Sequence, residues 1–153
     1  MKIKIHTNIS ENNNEIEIII NAPKDAEELN QIIENIQSVS NKIDTIIGNK
    51  ENQIYILNVD DVICFYAKEK SNYCKTNDGE FKIRKKLYEL EENLNNKQFI
   101  RISNYCIANV KHIKSFDLSK IGDIIVRFSD GTNEYVSKRR VKNVMKFLRE
   151  RGS

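Results

Sequence analysis

The sequence predicts a mainly β fold with short helices and a small N-terminal α+β extension. From Gly48 onward, short apolar-rich runs follow one another and are separated by turn-forming residues, a pattern typical of β-strands. Two later segments instead repeat apolar residues at helical spacing, which predicts short helices. The chain has 153 residues, of which 39% are hydrophobic and 31% charged, so it can bury the core of one domain with a small appendage.

Residues 1–47 predict a strand–strand–helix extension. The runs KIKIH and EIEIII alternate polar and apolar residues, which predicts two strands around the turn-like SENNN. In the segment NAPKDAEELNQIIENIQSVSNKI, Pro23 suits a first helical turn, and the acidic residues after it favour the positive end of a helix dipole. An apolar stripe marks the face that this helix would bury: Ala26, Leu29, Ile32, Ile33, Ile36 and Val39. We expect this extension to pack on the rest of the chain or on a second subunit, in a dimerisation or regulatory role.

Residues 48–153 predict the β-rich part of the chain. The runs with strand-like composition are NQIYIL, DVICFYA, NYCKT, EFKIR, HIKSFDL, DIIVRFS and NEYVS. Asp78-Gly79, between the third and fourth runs, is a strong hairpin signal. The segment KKLYELEENLNN predicts a short helix with its leucines on one side. The chain ends in a basic helix, RRVKNVMKFLRER, whose buried face would combine Val141, Val144, Met145 and Leu148.

Positive charge is concentrated at the C-terminal end of the chain. The net charge is +3, but residues 1–50 carry 5 basic residues against 8 acidic ones, and the remainder carries 20 against 14. Within residues 137–151 alone, 7 basic residues accompany 1 acidic residue. A basic cluster of this kind is typical of a protein that binds a polyanion, although a solvated helix face has the same composition.

One apolar run contains polar residues that are unusual in a buried strand. This run is FIRISNYCIANVKHI, residues 99–113. Ser103 and Asn104 predict a polar turn, because their side chains bond readily to nearby backbone. Asn104 has two interpretations, a turn residue or a side chain that binds adenine through its amide. The position of Asn109 within the apolar run instead predicts a structural role, in which its side chain holds nearby loop backbone in place.

Four segments of the chain resemble a LytTR DNA-binding domain, the output module of LytR/AgrA-type bacterial transcription regulators. They are IYILNVDDVICFYAKEKSNY, NDGEFKIRKKLYELEENL, FIRISNYCIANVKHI and DGTNEYVSKRRVKNV. They occur in the family's order and at about its spacing, from Gln53 to about Leu148. The resemblance implies an elongated, mostly β arrangement of short strands with loops inserted into successive major grooves. It also implies the stand-alone form of the family, without a receiver domain.

The resemblance implies three DNA-reading positions. They are the loop of residues 68–72, the polar tip of residues 103–104, and the strand-to-helix step of residues 137–140. By motif position, base contacts fall on Asn72, Asn104 and Arg139; an arginine can bond bidentately to guanine. Side chains around them are expected to contact phosphates: Lys68, Lys70, Arg101, Ser137, Lys138, Arg140 and Lys142.

The partner implied by the resemblance is double-stranded DNA, and no cofactor is expected. Three reading positions with few phosphate contacts would bind modestly as a monomer, so we expect a homodimer. Stand-alone members of the family commonly act beside a small membrane protein encoded next to them, which makes such a protein a possible regulatory partner. The sequence has no signal peptide and no apolar run of membrane-spanning length, which predicts a cytoplasmic protein.

Other classes of function are less compatible with the sequence. No enzyme is expected, since His6 and His112 are the only histidines and neither neighbours a nucleophile pair or a metal cluster. A single-strand or RNA binder would need exposed aromatic platforms, whereas Phe65, Tyr66 and Tyr105 occupy apolar positions and are expected in the core. A non-enzymatic protein interaction module is the other alternative. Preference for duplex over single-stranded competitor would separate these classes.

Overall fold

The computed structural model describes residues 4–12, 16–40 and 43–151, and within them the chain forms ten β-strands and three α-helices. The strands are β1 (Thr45–Lys50), β2 (Gln53–Asn58), β3 (Cys64–Lys68), β4 (Ser71–Thr76), β5 (Gly79–Ile83), β6 (Phe99–Ser103), β7 (Cys106–Asn109), β8 (Ile113–Asp117), β9 (Ile125–Phe128) and β10 (Asn133–Tyr135). The helices are α1 (Leu29–Ser40), α2 (Leu87–Asn93) and α3 (Lys138–Arg151). The mainly β fold predicted from the sequence is confirmed.

The strands pair antiparallel in two sheets. Seven of them form the larger sheet, in the order β2-β1-β5-β4-β3-β7-β6, so that β2 and β6 are its edges. The other three form a small sheet in the order β10-β9-β8. Short 3₁₀ turns at Val59–Asp61 and Val110–His112 connect β2 to β3 and β7 to β8.

The larger sheet separates two hydrophobic cores. One core lies between this sheet and α2, which buries the leucine face predicted for it: Leu87, Leu90 and Leu94. The other core lies between the opposite face, the small sheet and α3, from which Val144 is fully buried. The β6–β7 hairpin supplies both cores, since Phe99 packs in the first and Ile100 in the second. Alternation along β6 therefore buries both of its faces.

The predicted strands of the β-rich part are present, with bounds shifted by a few residues. The predicted hairpin turn joins β4 to β5, and Gly79 there has a φ of +124°, a conformation that favours glycine. The sequence does not predict β1, because Gly48 interrupts its apolar pattern. A Cβ at Gly48 would lie 2.7 Å from the Cβ of Phe81, so the bare backbone permits close strand packing. The domain boundary predicted after residue 47 falls within β1.

The N-terminal extension differs from the prediction. Residues 4–12 and 16–28 contain no strand, so the strands predicted for KIKIH and EIEIII are wrong where the structure describes them. Residues 2–3 of the first run and residues 13–15 lie outside the described residues. Two short strands joined by a turn are marginally stable unless a third strand or a helix covers them.

The predicted N-terminal helix exists but is shorter than expected. It begins at Leu29 because the carbonyl of Pro23 accepts the amide of Ala26 at 3.1 Å in a separate turn. Asp25 and Glu28 therefore precede the helix and lie outside its first turn. No helix in the described part of the chain is long and apolar enough to cross a lipid bilayer.

Asn109, the second asparagine of the unusual apolar run, fastens two turns to β7. Its side chain is fully buried. Nδ2 donates to the Val62 carbonyl at 2.7 Å and lies 3.4 Å from the Val59 carbonyl. Oδ1 accepts the Lys111 amide at 3.0 Å and Gln98 Nε2 at 3.4 Å. The amide thus satisfies backbone groups of both 3₁₀ turns, which is the structural role predicted for it.

An ion pair joins the two sheets. Nζ of Lys75, in β4, lies 2.9 Å from Oδ2 of Asp130, in the β9–β10 turn. Thr132 donates to Asp130 Oδ1 from its amide at 3.0 Å and from its hydroxyl at 2.6 Å. Burial disfavours the ionised carboxylate, but the hydrogen bonds from Thr132 and Lys75 outweigh burial and lower the pKa of Asp130 to about 2. Asp130 is therefore charged at neutral pH.

We expect Asn109→Ala to lower the free energy of unfolding by about 2–4 kcal/mol, because buried backbone groups lose their partners. Urea denaturation at neutral pH measures this loss. Asn104→Ala is the matched control, since it makes the same change at an exposed position, and it should alter the stability by less than about 0.5 kcal/mol. Similar losses in both variants would contradict the role assigned to Asn109.

We expect Asp130→Asn to lower the free energy of unfolding by about 1 kcal/mol at neutral pH, because the ion pair with Lys75 is lost. The folded-state pKa of Asp130 lies below its unfolded value of about 3.9. Wild type therefore keeps this stabilisation above about pH 4 and loses it as the pH falls toward 2. Thermal melts across this range should show the two proteins converging in acid, and a constant difference would argue against the pair.

Candidate nucleic-acid interface

The turn between β6 and β7 is held from inside by Arg101. Nε of Arg101 donates to the Ser103 carbonyl at 2.8 Å, and Nη2 donates to the Asn104 carbonyl at 2.7 Å. The Ser103 hydroxyl accepts the Tyr105 amide at 3.1 Å, which closes the turn. The Asn104 side chain is exposed and has no hydrogen bond within the described part of the chain. The tip is thus a rigid backbone with one projecting amide.

Tyr105 is an exposed neighbour of Asn104, and its prediction as a core residue is wrong. Its side chain is 68% exposed, whereas Phe65 is fully buried. Tyr105 is the second turn residue, so its ring points away from the strands although the residues after it are buried. Its position directly after the polar pair Ser103-Asn104 was the available signal. The tip therefore offers an aromatic ring as well as an amide.

The β3–β4 turn lies beside this tip. The amide of Ala67 donates to the Tyr105 carbonyl at 2.9 Å, which joins the end of β3 to the β6–β7 turn. Glu69 and Lys70 form the turn, with φ values of 51° and 65°. Two successive left-handed residues are typical of a tight type I′ hairpin. Lys68 and Lys70 are exposed, so this turn presents cations next to the tip.

Asn72 lies in β4 and is partly engaged by the protein itself. The residue pairs with Ala67 across the hairpin and is half-buried. Its Nδ2 donates to the Lys85 carbonyl at 3.1 Å. Oδ1 has no hydrogen bond with the described residues. Unlike Asn104, this asparagine has only part of its amide available to a ligand.

The start of α3 adjoins the other side of the tip. The Ser137 amide donates to the Ile102 carbonyl at 2.8 Å, which places the beginning of the helix against the end of β6. The Arg140 amide donates to the Ser137 carbonyl at 2.9 Å and forms the first helical turn. Lys138 and Arg139 are exposed in this turn. The basic step predicted from the sequence therefore meets the polar tip.

Two arginines expected to contact phosphates are paired with one acidic residue. Nη1 of Arg101 lies 2.6 Å from Oε2 of Glu91, and Nη1 of Arg140 lies 3.6 Å from Oε1 of Glu91. The Arg101 side chain is only 13% exposed and its other nitrogens bind the tip. Arg101 therefore differs from the open phosphate-binding residue expected from the sequence. Glu91 is a part of this region that sequence reasoning missed.

The predicted positions converge on one surface. Backbone hydrogen bonds connect the tip to the β3–β4 turn on one side and to the start of α3 on the other. Exposed cations accompany these elements: Lys68, Lys70, Lys138, Arg139 and Lys142. Such a surface can neutralise phosphates and offer amide and guanidinium groups to base edges.

Comparison with protein families shows which family this chain resembles. The family profile of the LytTr DNA-binding domain matches residues 52–149. This chain belongs to the LytTR family. The matched LytTR region contains the β3–β4 turn, the β6–β7 tip and the start of α3, so the whole candidate interface lies within it.

Relatives of this LytTR chain extend along nearly all of it. An "uncharacterized HTH-type transcriptional regulator" of Staphylococcus aureus (strain NCTC 8325 / PS 47) is 34% identical over 146 residues, which are 95% of this chain and 98% of the relative. A relative with the same description from strain MSSA476 is 33% identical over 148 residues, with 97% and 98% covered. A solved LytTr DNA-binding domain from Bacillus cereus is 22% identical, with a TM-score of 0.67 over 69% of this chain and 97% of that one. This similarity confirms the fold.

The LytTR fold seen here differs from a helix-turn-helix, the motif in the names of the S. aureus relatives. Within the described residues, five strands separate α1 from α2, and five more separate α2 from α3. No two of these helices are successive elements. The candidate interface is instead built from two hairpin turns and one helix N-terminus.

Proposed function

We propose that this LytTR protein is a bacterial transcriptional regulator that binds duplex DNA sequence-specifically in the cytoplasm. Its two hairpin turns and the start of α3 would enter successive major grooves. The observation that supports this is their direct connection by backbone hydrogen bonds, with the Asn104 and Arg139 side chains exposed. The major groove presents a distinct pattern of donors and acceptors for each base pair, so projecting amide and guanidinium groups can discriminate there.

The proposed base-reading residues differ in what they offer. Arg139 can donate two hydrogen bonds to one guanine, worth about 1–3 kcal/mol of discrimination. Asn104 can donate to and accept from one adenine with its open amide. Asn72 shares Nδ2 with the Lys85 carbonyl, so it would read mainly by accepting at Oδ1, from the amino group of adenine or cytosine.

Phosphate contacts would surround these readers. The proposed residues are Lys68, Lys70, Ser137, Lys138, Arg140 and Lys142, and each charged contact adds about 0.9 to the slope of log affinity against log salt. The N-terminal amides of α3 favour a phosphate for the same electrostatic reason. Arg101 adds positive charge near the tip, but its guanidinium is bonded to protein groups. Its proposed contribution is to hold the tip.

The proposed regulator acts as a homodimer through residues 1–47. Large isoleucine side chains in this segment are exposed in the single chain, among them Ile9 at 94% and Ile16 at 92%. The adjacent edge strand β2 has no charged residue and exposes Ile54 and Ile56 at 72% and 78%. Monomers rarely expose contiguous apolar surface, and edge strands are usually protected by charges. Two copies would also bind paired half-sites more tightly than one.

The exposed ring of Tyr105 favours a second candidate, a single-strand or RNA binder. Aromatic side chains beside cations can stack on unpaired bases. Tyr105 is a lone exposed ring within the tip, whereas such binders use several in succession. Competition by duplex and single-stranded DNA of the same sequence decides between the two functions, and a stronger single-stranded competitor would favour the second.

We expect Arg139→Ala to lose sequence preference while keeping salt-sensitive binding to any duplex. The substitution removes a bidentate base contact, so preference for a duplex selected by wild type from a randomised pool should fall about 10- to 100-fold relative to a scrambled duplex. Fluorescence anisotropy at two salt concentrations measures both affinities.

Arg149→Ala is the matched control for this experiment. Arg149 is exposed in the last turn of α3, about 15 Å along the axis from Arg139 at 1.5 Å per residue. Its loss removes the same charge but should leave the preference unchanged. Equal effects of the two substitutions would show that the helix acts only as a basic face. If wild type selects no duplex at low salt, the proposed function itself is wrong.

We expect the full-length chain to sediment at twice the mass of one chain, and a protein lacking residues 1–40 to sediment as a monomer. The deletion spares β1 and the Ile43 amide, which donates to the Asn93 carbonyl at 3.0 Å. The shortened protein should lose affinity for paired half-sites but keep its affinity for one half-site. A full-length chain that is monomeric with and without duplex would contradict dimerisation.

A further inference from the structure

We propose that Glu91 is a positioning residue that fixes the distance between two of the base-reading elements, the β6–β7 tip and the start of α3. The proposal rests on the proposed function, because it concerns how the same surface achieves sequence preference. Glu91 lies on α2, outside both elements. Its role would be to hold Asn104 and Arg139 in register with one operator.

The carboxylate of Glu91 binds one arginine from each reading element. Oε2 lies 2.6 Å from Nη1 of Arg101, which carries the tip, and Oε1 lies 3.6 Å from Nη1 of Arg140 in the first turn of α3. Arg140 is the chain neighbour of the proposed guanine reader Arg139. One side chain of α2 therefore adds an ionic connection between two elements that are also joined by the hydrogen bond from Ser137 to Ile102 and by shared core packing.

Glu91 also determines how Arg101 holds the tip. The planar guanidinium has three anchors: the carbonyls of Ser103 and Asn104 and the Glu91 carboxylate. With all three in place, the plane of the guanidinium is fixed, and with it the backbone from which the Asn104 amide projects. Without Glu91, the guanidinium keeps only the two carbonyls of the turn, and these belong to the same hairpin as Arg101 itself. α2 supplies the fixed side, because its leucines are buried in the core.

Removing the negative charge of Glu91 distinguishes a positioning role from simple electrostatic repulsion, because the two roles predict opposite changes in operator affinity. A carboxylate on a polyanion-binding surface repels phosphate, so its removal should strengthen binding to any duplex. If Glu91 positions the reading elements, its removal should instead weaken binding to the operator, because base contacts depend on the placement of Asn104 and Arg139 more than on one charge. Loss of operator affinity together with unchanged or higher affinity for scrambled duplex cannot arise from charge alone.

The test compares Glu91→Gln with Glu92→Gln in the full-length chain. Both substitutions remove one negative charge from α2 without changing the side-chain size much. Glu92 is exposed and has no ion pair within the described part of the chain. Affinities for a duplex selected by wild type from a randomised pool, and for its scrambled counterpart, are measured by fluorescence anisotropy for all three proteins.

We expect Glu91→Gln to reduce the preference for the selected duplex about tenfold, as for loss of one charged hydrogen bond. Single base-pair changes in the selected duplex should show the discrimination falling at the pairs read by Asn104 and Arg139, and persisting at the pair read by Asn72. Glu92→Gln should keep the wild-type preference within about twofold. A merely structural defect would reduce discrimination at every pair and lower the melting temperature.

A DNA-free measurement gives the proposal a second test. Hydrogen–deuterium exchange should be faster in Glu91→Gln than in wild type for the amides of residues 103–105 and 137–140, and unchanged for β3 and β4. Equal preference and equal exchange in Glu91→Gln and Glu92→Gln would overturn the positioning role while leaving the regulator intact. Failure of wild type to select any duplex would instead remove the proposed function, and the positioning role with it.

Discussion

The burial of both faces of the β6–β7 hairpin is the constraint on which the candidate interface depends. Phe99 and Ile107 pack toward α2, whereas Ile100 and Ile102 pack toward the small sheet and α3. A shift of the hairpin by one residue would exchange these faces and place Arg101 in a core. The tip therefore has one position relative to both layers. Apolar packing places the hairpin, and the guanidinium of Arg101 then holds the turn from which the polar side chains project.

Turns that are proposed to contact DNA need a source of rigidity that a helix has in its own backbone. Here the turns acquire it from local chemistry: left-handed residues at Glu69 and Lys70, the Ser103 hydroxyl, and the guanidinium of Arg101. Each of these features orders the turn backbone in the free protein, so less conformational entropy would be lost on binding a ligand. Polar groups close to the candidate interface thus stabilise the turns, and this structural role is easily mistaken for direct ligand contact.

The sequence predicted those features that depend on neighbouring residues. The hairpin at Gly79, the leucine face of α2 and the structural role of Asn109 all follow from local pattern and turn chemistry. Features that depend on distant partners were not predictable in this way. Glu91 meets Arg101 only because α2 packs beside β6. Whether the alternating isoleucines near the N-terminus form a strand depends on a pairing partner that the local pattern does not reveal. Tyr105 is a different case, because its exposed ring follows from the local turn at Ser103-Asn104 and not from a distant partner.

The two edges of the larger sheet are far apart. β2 and β6 are separated by six strand spacings, which is a path of about 29 Å along the sheet at 4.8 Å each. Changes at the β2 edge would reach the β6–β7 tip through the intervening packed strands, or through α2, whose Asn93 carbonyl accepts the Ile43 amide. This geometry makes the chain from β1 onward suited to engineering as a portable recognition module. A light-sensitive or ligand-sensitive protein fused ahead of β1 would bring two such modules together on demand, in place of the dimerisation proposed for residues 1–47.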